Sequence, residues 1–159
     1  MPSLHHATLV VANLLEHGES LSVAESITAG GLGHLITSAP GSSKVFRGGV
    51  IAYSNEVKEN FLNVSPSLIA EYSVVSEEVA VAMAEGARQK FATTWAISTT
   101  GVAGPGSYEG VLEGTVWIAI AGPTQHTVHL QLDSGREAIR TGAISSAIGS
   151  FSRILSGRN

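Results

Sequence analysis

With 159 residues, 43% of them apolar and 14% charged, the chain has enough core-forming material for one ordinary domain and is too apolar to be disordered. Nine Lys and Arg against thirteen Asp and Glu give a formal charge of −4 with no basic run, which excludes the electrostatic footprint of a nucleic-acid binder. Cysteine is absent, which removes disulfides, thiolate metal sites and a thiol nucleophile; no window has the length of a membrane span, and the N-terminus lacks a signal peptide's basic start, so a cytoplasmic location is expected.

Leu4, Ala7, Thr8, Val11, Leu14 and Leu15 recur at helical spacing, which predicts a first helix capped by Ser3 and stopped at Gly18. His5, His6 and His17 lie around it and read as a solvated face, since adjacent histidines cannot meet one metal as an i, i+4 pair can. Leu21, Val23 and Ala24 read as a short buried strand, and Leu32, Leu35 and Ile36 resume helical spacing, so Glu25 to Gly31 is predicted as a strand-to-helix turn. Such a turn puts Glu25, Ser26 and Thr28 at the carboxyl end of a strand and aims the free N–H groups of a new helix at the same spot, which suits an anion. A hydroxyl there can attack or bind; the plain alternative is that Ser26 and Thr28 cap the helix. That helix is expected to reach about Ser38, with His34 structural, and to be broken by Pro40-Gly-Ser-Ser43.

Val45 to Ser54 reads as a strand interrupted by Gly48-Gly49, which predicts a bulge or a close approach. Ser54 or Asn55 can cap a helix containing Val57, Lys58, Phe61 and Leu62. Lys58 then lies about one turn inside, able to reach back toward Tyr53 and the Ser26 turn; a solvated helix lysine is the alternative. Pro66 to Tyr72 reads as a short helix or turn. Ser76, followed by Glu77 and Glu78 and ending with Arg88 and Lys90, opens a helix whose buried face is Val79, Met83, Ala84, Ala87 and Phe91. Ala80, Ala82 and Gly86 leave it room for close packing.

Thr94 to Thr100 is a strand ending in the loop Gly101-Val-Ala-Gly-Pro-Gly106, which matches neither the P-loop nor the dinucleotide fingerprint. Gly114–Ala121 and Thr127–Leu132 are paired strands around Gly122-Pro-Thr-Gln125, with Trp117 a core or interface residue. Ile139, Ala143, Ala147, Phe151, Ile154 and Leu155 stripe the last helix. Arg136 and Arg140 near its start oppose the helix dipole and serve an anion, a partner's carboxylate or simple solubility. Alternating helices and strands plus one hairpin predict a three-layer α/β/α sandwich with a mixed, mostly parallel sheet, as one domain over residues 1–159. The loops after Ala24, Tyr53 and Thr100 would meet at the strands' carboxyl ends, where ligands gather in such sheets.

Five blocks carry a resemblance: Ser22-Val-Ala-Glu-Ser-Ile-Thr-Ala-Gly30, Pro40-Gly-Ser-Ser-Lys-Val-Phe-Arg-Gly-Gly49, Tyr53-Ser-Asn-Glu-Val-Lys58, Val75-Ser-Glu-Glu-Val-Ala80 and Thr99-Thr-Gly-Val-Ala-Gly-Pro-Gly106. In this order they resemble the CinA C-terminal domain, the nicotinamide-nucleotide amidohydrolase (PncC) family. The resemblance implies deamidation of nicotinamide mononucleotide to nicotinate mononucleotide and ammonia, with no metal or other cofactor. It also implies a homo-oligomer, and a chain that looks like the stand-alone form without the additional N-terminal domain of larger relatives; neither a nucleic-acid nor a membrane partner is expected.

Carried over residue by residue, Ser26 is the nucleophile and Lys58 and Tyr53 its activating partners. A lysine can serve as base only when neutral, so burial or a nearby positive charge must depress its pKa. Oxyanion donors are expected from the N–H groups of Thr28, Ala29, Gly30 and Gly31 or from the loop at Thr100 and Gly101. The phosphate is expected at Ser42, Ser43 or the arginines Arg136 and Arg140. One departure stands out: the family's further glycines and Lys-Pro-Val-Gly segment are replaced by Ser107-Tyr-Glu-Gly-Val-Leu-Glu-Gly114. That loop leaves two alternatives open, a nucleotide-binding module without turnover and a serine amidase for another small amide.

Overall fold

The structure is a computed structural model that describes residues 2–158. Its helices are α1 (Pro2–His17), α2 (Gly31–Thr37), α3 (Asn55–Leu62), α4 (Pro66–Tyr72), α5 (Glu77–Phe91) and α6 (Arg136–Ser156). The strands are β1 (Leu21–Glu25), β2 (Phe46–Ile51), β3 (Trp95–Gly101), β4 (Thr115–Ala121) and β5 (His126–Gln131). They form one sheet in the order β2-β1-β3-β4-β5. β1 runs parallel to both β2 and β3, while β4 is antiparallel to β3 and β5 to β4, so every strand but β4 points the same way. The parallel pairs are joined through helices, as a parallel connection requires.

Helices cover both faces. On one, Val11 and Leu14 of α1, Leu32 and Ile36 of α2 and Ala147 and Phe151 of α6 close over Val23, Ile97 and Ile118 of the sheet. On the other, Val79, Met83 and Ala87 of α5 pack with Leu62 of α3 against Ala24 and Ala96. The three-layer arrangement is therefore as the alternation of elements predicts. β1 is buried at all five positions because it is central and covered on both sides, so it reads as a continuous rather than an alternating strand.

The helix caps divide between expectation and correction. Ser54 and Ser76 accept from Val57 and Val79 and cap α3 and α5 as predicted. Ser3 lies inside α1 and its hydroxyl meets that of Ser145 at 2.8 Å, so it does not cap. The stripe of α1 also differs: Val10 is fully buried while Leu4 and Leu15 are exposed.

Both readings of Gly48-Gly49 hold. The β1–β2 register slips between Leu21 and Ser22, and a Cβ on Gly49 would stand 2.4 Å from a Val23 methyl and 2.8 Å from its carbonyl oxygen. Gly86 solves the same problem between helices, since a Cβ there would lie 2.0 Å from the Leu62 carbonyl oxygen. The backbone of α3's end thus rests directly on α5. Gly86→Ala is expected to destabilise the fold by about 2 kcal/mol or more through overpacking against backbone, read as a lower denaturant midpoint at unchanged slope.

Candidate active site at the carboxyl ends of three strands

Backbone hydrogen bonds set the site before any side chain does. Beyond β1, the Ser26 N–H donates to the Thr99 carbonyl at 2.9 Å, and the Ala52 N–H donates to the Glu25 carbonyl at 2.8 Å. The chain ends after β1, β2 and β3 are thereby stitched side by side. Ser54 then starts α3, and one turn later the Lys58 N–H donates to the Ser54 carbonyl. Lys58 is thus aimed back at the strand ends.

Its Nζ donates to Ser26 Oγ at 3.2 Å. Lys58 is only 2% exposed, and no carboxylate lies within ion-pair distance of it among the described residues. Burial pushes its pKa down from 10.5 to about 8, because an unpaired ammonium is costly away from water. The solvated-lysine alternative is thereby excluded.

These two residues sit in a cleft of about 390 Å³ whose walls include Ile27, Tyr53, Asn55, Val75, Thr100 and Gly101. The loop from Val102 to Tyr108 and Arg136 complete it. Thr100 holds the wall together by donating to the Val74 carbonyl at 2.9 Å. The three loops predicted to converge do so.

Tyr53 does not hydrogen-bond to Lys58 or Ser26 among the described residues. It is 60% exposed at the cleft mouth, where its hydroxyl accepts from the Arg136 guanidinium at 3.0 Å. Arg136 also donates to the Gly104 carbonyl at 2.6 Å, bridging the start of α6, the β2–α3 junction and the Gly-rich loop. The expected contact of Tyr53 with Lys58 is absent because Tyr53 lies two positions past the end of β2, with Ala52 between, and its ring extends across the mouth.

Thr28, Ala29, Gly30, Gly31 and Arg140 line a different cavity, of about 380 Å³, together with His34, Glu137, Thr141 and Ile144. His34 is exposed there rather than structural. The start of α2 is also not free for an anion. Glu25, 2% exposed, accepts from the Leu32 N–H at 2.7 Å and the Gly33 N–H at 3.1 Å. The same carboxylate accepts from the Thr28 hydroxyl at 2.6 Å, and Thr28 also meets Thr99 at 2.7 Å. Glu25 therefore takes the capping role that the sequence offered to Ser26 and Thr28. The seven-residue separation of Glu25 from Leu32 lies outside the spacing of a capping box, so no local signal reveals it.

Ser42 and Ser43 line neither cavity. They form a short 3₁₀ turn before β2, at the amino end of the strand and hence at the opposite end of the parallel strands from Ser26, and Ser42 donates to the Thr37 carbonyl. Sequence reasoning missed Ile27, Asn55, Val74 and Val75 as cleft-lining residues, since a wall position leaves no periodic trace, whereas Ser107 and Tyr108 belong to the departing loop that it singled out.

The profile of the family described as CinA C-terminal domain matches residues 4–155. The chain belongs to the CinA C-terminal domain family. A CinA-like protein of a Synechococcus strain is 55% identical over 119 residues, which cover 74% of this chain and 28% of that relative. One from Frankia casuarinae is 41% identical over 150 residues, 94% of this chain and 35% of the relative. The chain thus spans about a third or less of the length of these curated relatives.

Among solved structures, competence damage-inducible protein A of Klebsiella pneumoniae superposes with a TM-score of 0.94 at 28% identity, covering 99% of both chains. A competence/damage-inducible protein of Agrobacterium tumefaciens gives 0.92 at 27% identity, covering 98% of this chain and 96% of the other. Among the described residues no helix is long and apolar enough to cross a membrane.

The buried amine has a measurable cost. Below about pH 8 Lys58 is charged in both folded and unfolded states, and the folded protein carries the full penalty of burying it. Between about 8 and 10.5 the unfolded chain binds more protons, so stability rises with pH across that window. Lys58→Met is expected to flatten this rise and to raise stability at pH 7 by on the order of 2 kcal/mol, measured by urea unfolding at pH 7 and 10.

Proposed function

We propose that the protein is an amidohydrolase that deamidates nicotinamide mononucleotide, with Ser26 as nucleophile and Lys58 as its base. The observation that carries this reading is the 3.2 Å contact between Lys58 Nζ and Ser26 Oγ inside a cleft, with the amine buried and unpaired. A serine hydroxyl is a weak nucleophile unless a base takes its proton, and a lysine whose pKa is lowered to about 8 is neutral often enough near neutral pH to do so.

In the proposed reaction Ser26 Oγ attacks the carboxamide carbon while its proton passes to Lys58. The tetrahedral intermediate collapses as Lys58 returns that proton to the departing nitrogen, which leaves as ammonia. Water then attacks the acyl-Ser26 ester, giving a proton to Lys58, and collapse releases the carboxylic acid, which ionises to solvent, as Ser26 recovers its proton from Lys58. One water is consumed and one ammonia formed.

Arg136, without a carboxylate partner within ion-pair distance among the described residues, supplies positive charge at the mouth for the substrate phosphate, beside Tyr53. The cleft volume of about 390 Å³ suits a mononucleotide, since small-ligand sites run from about 300 to 1,000 Å³. The proposal includes a cytoplasmic location, as expected from the sequence, and a homo-oligomer, as the family resemblance implies.

A second reading is a serine amidase for another small amide. It is favoured by Ser107 and Tyr108, which belong to the stretch departing from the family's pattern and line the cleft. Labelling of Ser26 by an acyl-directed probe without release of ammonia from nicotinamide mononucleotide would select it over the first. A binding module without turnover would show saturable nucleotide binding and neither labelling nor product.

Purified protein is expected to release ammonia and nicotinate mononucleotide from the amide, and Ser26→Ala to lose at least about 10³-fold in kcat. Wild-type rates surviving in that variant would remove the nucleophile. The kcat/KM profile should rise with pH and level off above about 8, as free Lys58 loses its proton. Lys58→Arg, which stays charged, should be inactive at every pH tested. Arg136→Ala is expected to raise KM about tenfold with little change in kcat, as lost phosphate binding would.

A further inference from the structure

Arg140 belongs to neither the cleft nor a salt bridge among the described residues, yet it touches the two residues that follow the proposed nucleophile. From α6 its Nε donates to the Ile27 carbonyl at 3.0 Å, and an η nitrogen reaches the Thr28 carbonyl at 3.5 Å. The side chain is partly buried in the wall of the second cavity, on the other side of the turn from Ser26. Hydrogen bonds from a guanidinium are charge-assisted, and its planar fork constrains the direction of whatever it holds.

In a trans peptide the carbonyl and the next N–H point in opposite directions. The carbonyl of Ile27 points at Arg140, so the N–H of Thr28 points away from α6. The carbonyl of Ser26 is likewise fixed, by the Ala29 N–H at 3.2 Å, which sets the direction of the Ile27 N–H. Neither the Ile27 nor the Thr28 N–H has a protein acceptor among the described residues. Next to Ser26, then, lie two donors whose peptide planes are held from outside the cleft.

We propose that Arg140 is a positioning residue, which locks the Ile27–Thr28 peptide so that its N–H is presented to the oxyanion formed when Ser26 attacks. The inference rests on the reading of Ser26 as nucleophile. It differs from the phosphate-binding role that the sequence suggested for Arg140, since the guanidinium lines the other cavity and not the cleft that holds Ser26. Preorganised donors act mainly on the transition state, so the loss falls on kcat and not on KM. Glu25 holds the same turn from the opposite side through the α2 amides, which keeps Ser26 in place when Arg140 is removed.

The test compares wild type, Arg140→Ala and Arg140→Lys for nicotinamide mononucleotide turnover, for the rate at which an acyl-directed phosphonate labels Ser26, and for thermal midpoint. Arg140→Ala should lose about 100-fold in kcat, the scale of one lost oxyanion donor, with KM within about twofold. Millimolar guanidinium should restore part of the rate, because the second cavity can admit it, and Arg140→Lys should be intermediate. An unchanged kcat, or a raised KM with kcat kept, would overturn the inference while the proposed function stood.

A wild type inert toward the nucleotide but labelled at Ser26 would sink the substrate assignment alone. The labelling rate then decides: about 100-fold slower in Arg140→Ala and recovered by guanidinium supports the inference, and an equal rate refutes it. A Ser26 that is neither labelled nor active in wild type removes both. Should Arg140→Ala fail to fold, Arg140→Lys carries the same comparison, and wild-type kcat in that variant with no loss in labelling would count against a need for the fork.

Discussion

The structure is arranged around a lysine amine that has been taken out of water and given a hydroxyl, not a carboxylate, as its neighbour. Burying Lys58 opposes folding, since the charged form loses hydration and gains no counter-ion. The arrangement persists because its surroundings are over-determined. Ser54 caps α3, the close contact of Gly86 with Leu62 holds the helix's far end against α5, and backbone bonds from Ser26 and Ala52 tie the strand ends together. Stability is stored in the scaffold and spent at the site, a relation common at functional sites.

Charge is likewise partitioned across the turn from Glu25 to Gly31. Its only carboxylate, Glu25, sits behind the wall, where two backbone amides and the Thr28 hydroxyl occupy it. It therefore does not neutralise Lys58, whose low pKa depends on having no acidic neighbour. Arg136 faces the cleft mouth and Arg140 the second cavity, although they lie one turn apart on the same helix. One helical turn thus carries a guanidinium from the cleft side of the loop to the side of the second cavity.

Much of the site was legible because its parts are local. The strand-turn-helix at Ser26, the cap at Ser54 and the one-turn offset of Lys58 follow from spacing, and α/β topology brings such strand ends together. What was misread depends on directions that spacing does not encode. Tyr53 is adjacent in sequence to the right place but reaches across the mouth to Arg136. Ser42 and Ser43 lie in a block that resembles the family, yet they fall at the amino end of β2, at the opposite end of the strands from the cleft. The amides of α2 looked free from sequence, and a carboxylate seven residues upstream had already taken them.

The sequence by itself determined the layered α/β architecture and the family, and through that resemblance pointed to Ser26 and Lys58, because apolar periodicity, capping residues and contiguous motifs are carried by neighbours along the chain. Only the tertiary structure decided that Lys58 is buried without a partner, that Glu25 caps α2, and that Arg136 and Arg140 serve opposite sides of one turn. The reason is physical. Desolvation and hydrogen-bond direction are properties of what surrounds a group in space, and residues as far apart as Ile27 and Arg140 become neighbours only when the sheet and its two helical layers have closed.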